Sequence, residues 1–346
     1  MIQTVTGNID KQNLGKILSH EHLKIDLSAF VGAHRKNPQH DRTLALDTLY
    51  LVKRDPYVLA DNTVIEADED VLRNELALFR AAGGGTIVDL TLPEIGRDPA
   101  YLKELSEKSG VHIVMGCGFY LDSVIPAAVR KMNERERAAV MIREIEDGDE
   151  CTGVRAGVIG EIGTSGIVTE DEWKNVRAAG IASLETGKSI HLHTSLYEEN
   201  GLALGDELIK MGVAPRNICI DHVDVVLRGA YCRRLLDKGV FIEFDNFGKE
   251  FYAPRGANVP LTGRFAYDLE RCEMLASLIQ SGYIDQLLVS NDICIKSMLT
   301  AYGGAGYGHI YDTVYDMCLD CGISEEDFKK LTEDNPASFL QGGDGD

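Results

Sequence analysis

Basic residues are in deficit: 35 Lys and Arg stand against 55 Asp and Glu, a formal net charge of -20. A phosphate backbone or an anionic bilayer is held by a basic face, so neither nucleic acid nor a membrane is expected as a partner. Long apolar runs are lacking too. No window reaches the roughly 18 apolar residues that a bilayer span needs. Met1–Gly7 shows no basic stretch followed by an apolar one, so no signal peptide is expected. The eight cysteines are scattered rather than set out as a disulfide framework, which points to a reducing, cytoplasmic setting. Cys318-x-x-Cys321 has no second pair and lies in a helical stretch, and is read as incidental. The dinucleotide fingerprint Gly-x-Gly-x-x-Gly is missing after the first expected strand. Gly303-Gly304-x-Gly306 follows the last one and reads as loop flexibility.

What is present is a regular alternation. Short apolar runs at Ile17–Leu23, Thr86–Leu90, Val111–Gly116, Ala156–Glu161, Ser189–Thr194, Asn217–His222, Val240–Phe244 and Gln286–Asp292 read as strands. Between and after them, Asp68–Ala82, Asp98–Gly110, Ile125–Asp147, Glu170–Gly187, Leu202–Gly212, Val225–Lys238, Tyr267–Ser281, Ile310–Leu319 and Ser324–Leu331 read as helices. Thr169 and Glu172 have capping-box spacing. Strand alternating with helix eight times predicts an α/β fold of the (β/α)8 TIM-barrel type. A doubly wound open sheet is the runner-up. No linker divides the chain, so one domain over 1–346 is expected, with inserted loops at about 26–56 and 245–264.

The polar residues at the strand ends carry the chemistry. His20 and His22, at i and i+2 of one strand, share a face. Strand 4 ends in Glu161, strand 5 in His193, strand 6 in His222 and strand 8 in Asp292. In a parallel barrel these ends all lie on one side, where active sites sit. Imidazole and carboxylate suit zinc, manganese, iron or cobalt, and six ligands exceed one tetrahedral zinc. Two divalent ions are expected. Glu161 would bridge them, His20, His22 and Asp292 would hold the more buried ion, and His193 and His222 the more exposed one. Attack by a hydroxide bridging the metals, with Asp292 shuttling its proton, is the mechanism this set predicts. His191 shares the face of His193 one pleat deeper and competes for its role.

The motifs Val5-x-Gly7-x-Ile9, Leu14-Gly15, His20-Glu21-His22-Leu23, Ile95-Gly96-Arg97-Asp98, Arg155-Ala156-Gly157-Val158-Ile159, His193-Thr194, Ile220-x-His222 and Leu288-Val289-Ser290-Asn291-Asp292 occur in order. Across nearly the whole chain they resemble the phosphotriesterase family of the amidohydrolase superfamily. The resemblance implies a barrel with a binuclear metal centre, usually zinc, that hydrolyses phosphoesters, lactones or carboxylate esters, and often a homodimer. His193 is preferred over His191 on the His-Thr match. Members that bridge their metals with a carboxylated lysine carry it where this chain has Gly160. Glu161 resembles instead the glutamate bridge of the phosphotriesterase-homology branch, which weakens any transfer of organophosphate preference.

Candidate substrate-binding residues are Tyr120, where the family places an aromatic, with Tyr197, Lys249, Arg255 and Lys296. Together with Arg264, the three cations would form a basic rim in an acidic protein and suit a small anionic ester, such as a phosphorylated sugar lactone. Phosphatase, phosphodiesterase or phosphotriesterase-like activity on the same site is the alternative, and a non-catalytic small-molecule binder the second. His34, His40 and His309 are expected to be loop or solvent histidines, and His112 structural at the opposite face.

Overall fold

The computed structural model describes residues 1–30, 38–66, 68–253 and 263–343. Eight strands, β1 (Lys16–Glu21), β2 (Gly84–Asp89), β3 (His112–Cys117), β4 (Val158–Gly163), β5 (Ile190–His193), β6 (Ile218–Ile220), β7 (Phe241–Phe244) and β8 (Leu287–Val289), lie side by side in chain order. Every pairing between them is parallel. The seam between β8 and β1 is bridged where Ser290 Oγ donates to His20 O (2.7 Å) and Asp292 N to the same oxygen (3.1 Å). This is a (β/α)8 barrel, with apolar strand residues such as Ile87, Ile159 and Ile242 fully buried.

Helix boundaries follow local chemistry. Glu170–Thr186 starts at a capping box in which Thr169 and Glu172 satisfy each other's backbone N–H. The expected single helix over 125–147 is instead two, Ala127–Arg130 and Glu134–Glu146, because Asn133 caps the second through its own box with Glu136. Beyond the last expected helix, a further one, Asn335–Gln341, closes the N-terminal end of the barrel. There Phe339 packs on Phe241 (5.2 Å between ring centres) and on His191 (4.9 Å). Strands β6 and β8 stop before His222 and Asp292. Both residues leave the ladder with left-handed backbone, φ 61° and 47°, a strained conformation for a side-chain-bearing residue that clusters at functional sites.

The described part of the first inserted loop folds over the C-terminal mouth. Ile25–Asp26 pairs with Val64–Ile65, and Leu44, Val52 and Leu59 form a small core of their own. Cys318 is buried in the helix Tyr315–Asp320, while Cys321 lies beyond it, half-buried. No helix among the described residues is long and apolar enough to cross a membrane.

Candidate metal centre

Strand alternation sends His20 and His22 inward and Glu21 the other way. The Glu21 carboxylate accepts from Ser290 Oγ (2.7 Å), Asn291 N (2.8 Å), Asn291 Nδ2 (3.0 Å) and Ile293 N (2.8 Å). That grip holds the turn after β8 in the conformation that aims Asp292 at the mouth. Burial pushes the Glu21 carboxyl up to about 6 against these bonds.

The six strand-end residues meet. Glu161 Oε1 lies 3.5 Å from His22 Nε2, and Glu161 Oε2 lies 3.6 Å from His20 Nε2, 2.8 Å from His193 Nδ1 and 3.3 Å from His222 Nε2. Asp292 Oδ1 is 3.1 Å from His22 Nε2 and 3.8 Å from His20 Nε2. Two groups of potential ligands result, His20–His22–Glu161 and Glu161–His193–His222, with Glu161 common to both.

The donor set fits a pair of divalent cations. His20 is fully buried, yet neither ring nitrogen finds a hydrogen-bond partner among the described residues. His193 Nδ1 and His222 Nε2 sit only 2.9 Å apart beside one carboxylate oxygen. Protons satisfy such convergent acceptors in part, and cations satisfy them fully. The outward ring nitrogens are oriented by neighbours: His22 Nδ1 by Thr91 Oγ1 (2.9 Å) and His222 Nδ1 by Asp245 Oδ1 (3.0 Å). Burial opposes the charge on Glu161, but His20 and His193 outweigh it and hold the carboxyl well below its ordinary range.

Gly160 explains why strand 4 offers a glutamate and not a residue one place earlier. Its φ is 121°, and a Cβ there would lie 2.5 Å from His191 O. Gly160→Ala should therefore displace β4 against β5. The expected loss of about 1–3 kcal/mol is to be read from urea unfolding, together with weaker metal retention.

Lys249 is not on the rim. It is buried, and its ammonium pairs with Asp292 Oδ2. Burial pulls the lysine down and Asp292 outweighs it, so its pKa is raised. Reciprocally, burial works against the Asp292 charge and Lys249 outweighs that, holding the carboxyl at about 2. Lys296 is held at the loop, 2.6 Å from Asp61, and Arg264 pairs with Glu270 at 2.8 Å on the surface. Neither lines the cavity over the centre, so the expected basic rim does not form from them. Arg255 and His34 lie outside the described residues. Tyr120 lines the cavity, its hydroxyl 3.4 Å from His193 Nδ1, and Tyr197 lines an adjoining recess that Tyr120 and His193 also border. His309 sits in the loop as expected but is no solvent histidine: its Nε2 donates to Asp268 Oδ2 at 2.7 Å and it is largely buried. His40 is the exposed one, beside Asp41, and His112 opens β3 at the far end.

Sequence reasoning missed the support behind His222. Asn246 Nδ2 joins Asp245 (2.6 Å) to Asp224 (2.7 Å), and Arg271, fully buried, joins Asp224 and Asp268, each at 2.8 Å. Asp245 was detectable as the acid directly after β7, in the position that supplies a ligand on other strands.

A parallel barrel with a shared-carboxylate ligand cluster at its C-terminal mouth defines a metal-dependent hydrolase. The phosphotriesterase family model matches residues 1–340, and the chain belongs to that family. It is 31% identical to the N-acetyltaurine hydrolase of Xenopus tropicalis, over 98% of this chain and 97% of that one. Among solved structures it resembles a resiniferatoxin-binding protein from Rhodobacter sphaeroides (TM-score 0.93, 30% identity, 98% of this chain and 94% of that one). It also resembles a mutant phosphotriesterase-like lactonase from Deinococcus radiodurans (TM-score 0.75, 29% identity, 98% and 100%). The chain is thus a hydrolase of amide- or ester-type small molecules.

Proposed function

We propose that this enzyme hydrolyses the acyl bond of a small carboxylic substrate, an N-acyl amide first and a lactone second, in preference to a phosphoester. The cavity wall carries the reading. Ile25, Leu27, Leu196, Phe251 and Phe265 line it, and among the described residues its one lining cation is Lys249, already neutralised by Asp292. Beyond the metal ions themselves, the wall offers the negative charge of a phosphate mono- or diester no free cation among the described residues. An acyl chain fits the apolar wall, and a charged leaving portion can point out to solvent. The match to N-acetyltaurine hydrolases supports an amide, and the lactonase neighbour supports the second reading.

His20, His22, Asp292 and Glu161 would hold one ion, and Glu161, His193 and His222 the other, with zinc favoured by the nitrogen and oxygen donors. Bound there, divalent ions supply Lewis acidity and lower the pKa of water to near neutrality. Asp292, kept ionised by Lys249, accepts the proton of the attacking water and returns it to the departing amine or alkoxide. The Tyr120 hydroxyl stands over His193, positioned to donate to the substrate oxygen. The apolar wall excludes bulk water from the reacting acyl group.

A substrate panel tests this: N-acetyl amino acids and aminosulfonates, γ- and δ-lactones, a phosphate monoester and an aryl phosphotriester. Acyl substrates should exceed phosphoesters in kcat/KM by about 100-fold or more. Faster turnover of either phosphoester would overturn the proposal.

A further inference from the structure

Beneath the centre, between it and the Phe339 plug, lies a second polar layer of which the proposed reaction uses His20 alone. His191 on β5, Asp221 directly after β6, Glu243 on β7 and His20 on β1 all point into the barrel axis, and all four are fully buried. Barrel interiors are ordinarily filled by branched apolar side chains. Two carboxylates placed there need compensation, because a buried unpaired charge is strongly unfavourable.

Direct hydrogen bonding compensates only part of it. His191 Nδ1 reaches Asp221 Oδ1 at 3.0 Å, and the Ser19 hydroxyl donates to Glu243 Oε1. Asp221 Oδ2, Glu243 Oε2 and His20 Nδ1 have no hydrogen-bond partner among the described residues. His20 Nδ1 is 3.4 Å from Asp245 Oδ2, which also accepts from His222 N, 3.6 Å from Asp221 Oδ2 and 3.7 Å from Glu243 Oε2, and one ligand atom from each of His20, His191, Asp221 and Glu243 lies within 4.8 Å of the others. His191 Nδ1 is 3.3 Å from the same Glu243 oxygen. Zinc bonds of about 2.0–2.2 Å set tetrahedral edges of about 3.3–3.6 Å. The separations of 3.3–3.7 Å match those edges and exceed hydrogen-bond length, while the His191–Asp221 pair at 3.0 Å is close enough to be a hydrogen bond.

We infer that His191, Asp221 and Glu243, with His20 Nδ1 at the fourth corner, form a closed inner site for a divalent cation of the zinc type, separate from the pair at the mouth. Nitrogen and oxygen donors in a two-plus-two set, with no opening to solvent, suit a structural ion that ties four strands together. Loading the site would displace the proton of His20 Nδ1 to bulk water while the protein exchanges metal, and this one imidazole would then offer Nδ1 to the inner site and Nε2 to the outer centre. The inference does not depend on which bond the outer centre cleaves.

The test is zinc itself. Protein saturated with Zn2+ and freed of excess should carry three equivalents by elemental analysis. Anomalous maps at the zinc edge should show a peak enclosed by His191, Asp221 and Glu243. His191→Gln and Asp221→Asn should each reduce the count to two and erase that peak while leaving the outer peaks in place. Outer peaks without an inner one, or a third equivalent that survives both substitutions, would overturn the inference. If neither variant folds, the wild-type map alone decides it. Loss of zinc from every position would refute the outer centre as well. His193→Asn, which should remove outer zinc and keep the inner peak, tells the two sites apart.

Discussion

Asp292→Asn is expected to lower kcat for the best acyl substrate by about 10²–10⁴-fold, the usual worth of a positioned acid–base group. Asparagine keeps the shape of the side chain and the oxygen that lies 3.1 Å from His22 Nε2, so most metal should remain on elemental analysis. What goes is the charge that takes up a proton. The same change strands the Lys249 ammonium, which is 5% exposed, beside a neutral amide. Breaking a buried pair from one side costs about 3–5 kcal/mol, so the single variant should also melt earlier. Adding Lys249→Met should recover much of the lost thermal stability and none of the lost turnover. If activity stays within tenfold of wild type in the single variant, Asp292 is not the proton carrier.

Glu161→Gln is expected to cost the protein its outer metal and with it nearly all activity. One carboxylate faces all four outer histidines, with oxygens 2.8–3.6 Å from their ring nitrogens. Glutamine offers one neutral oxygen and an N–H2 that points its hydrogens at those nitrogens. Outer-sphere partners of metal ligands are commonly worth about 10–100-fold in affinity, and a shared ligand should exceed that. Competition with a chromophoric chelator gives the affinity directly. Retention of both outer ions at wild-type affinity would show that the bridge lies elsewhere.

The fold and the gathering of six strand-end residues were legible because both rest on periodicity. In a parallel barrel, order along the chain and an alternation of two are enough to place His20, His22, Glu161, His193, His222 and Asp292 at one mouth. Nothing comparable governs loops. Lys249, Lys296 and Arg264 were grouped by the sign of their charge, which carries no direction. The structure sends one to Asp292, one to Asp61 and one to Glu270. His191 was weighed only against His193, one pleat away. Its actual neighbours, Asp221 after β6 and Glu243 on β7, come from separate segments, and no single segment reveals their approach. The split at Asn133 was readable, since Asn133 and Glu136 carry the same box spacing as Thr169 and Glu172.

Glu21 gives the first strand a second consequence. Its two neighbours supply imidazoles to the mouth, while its own side chain fastens the turn after the last strand, some 270 positions away in the chain. The stitch that shuts the cylinder and the step that assembles the reactive cluster are therefore one event. An unzipped barrel has lost Asp292 and the alignment of His20 together. Catalytic competence in this protein should report on closure of the first strand against the last.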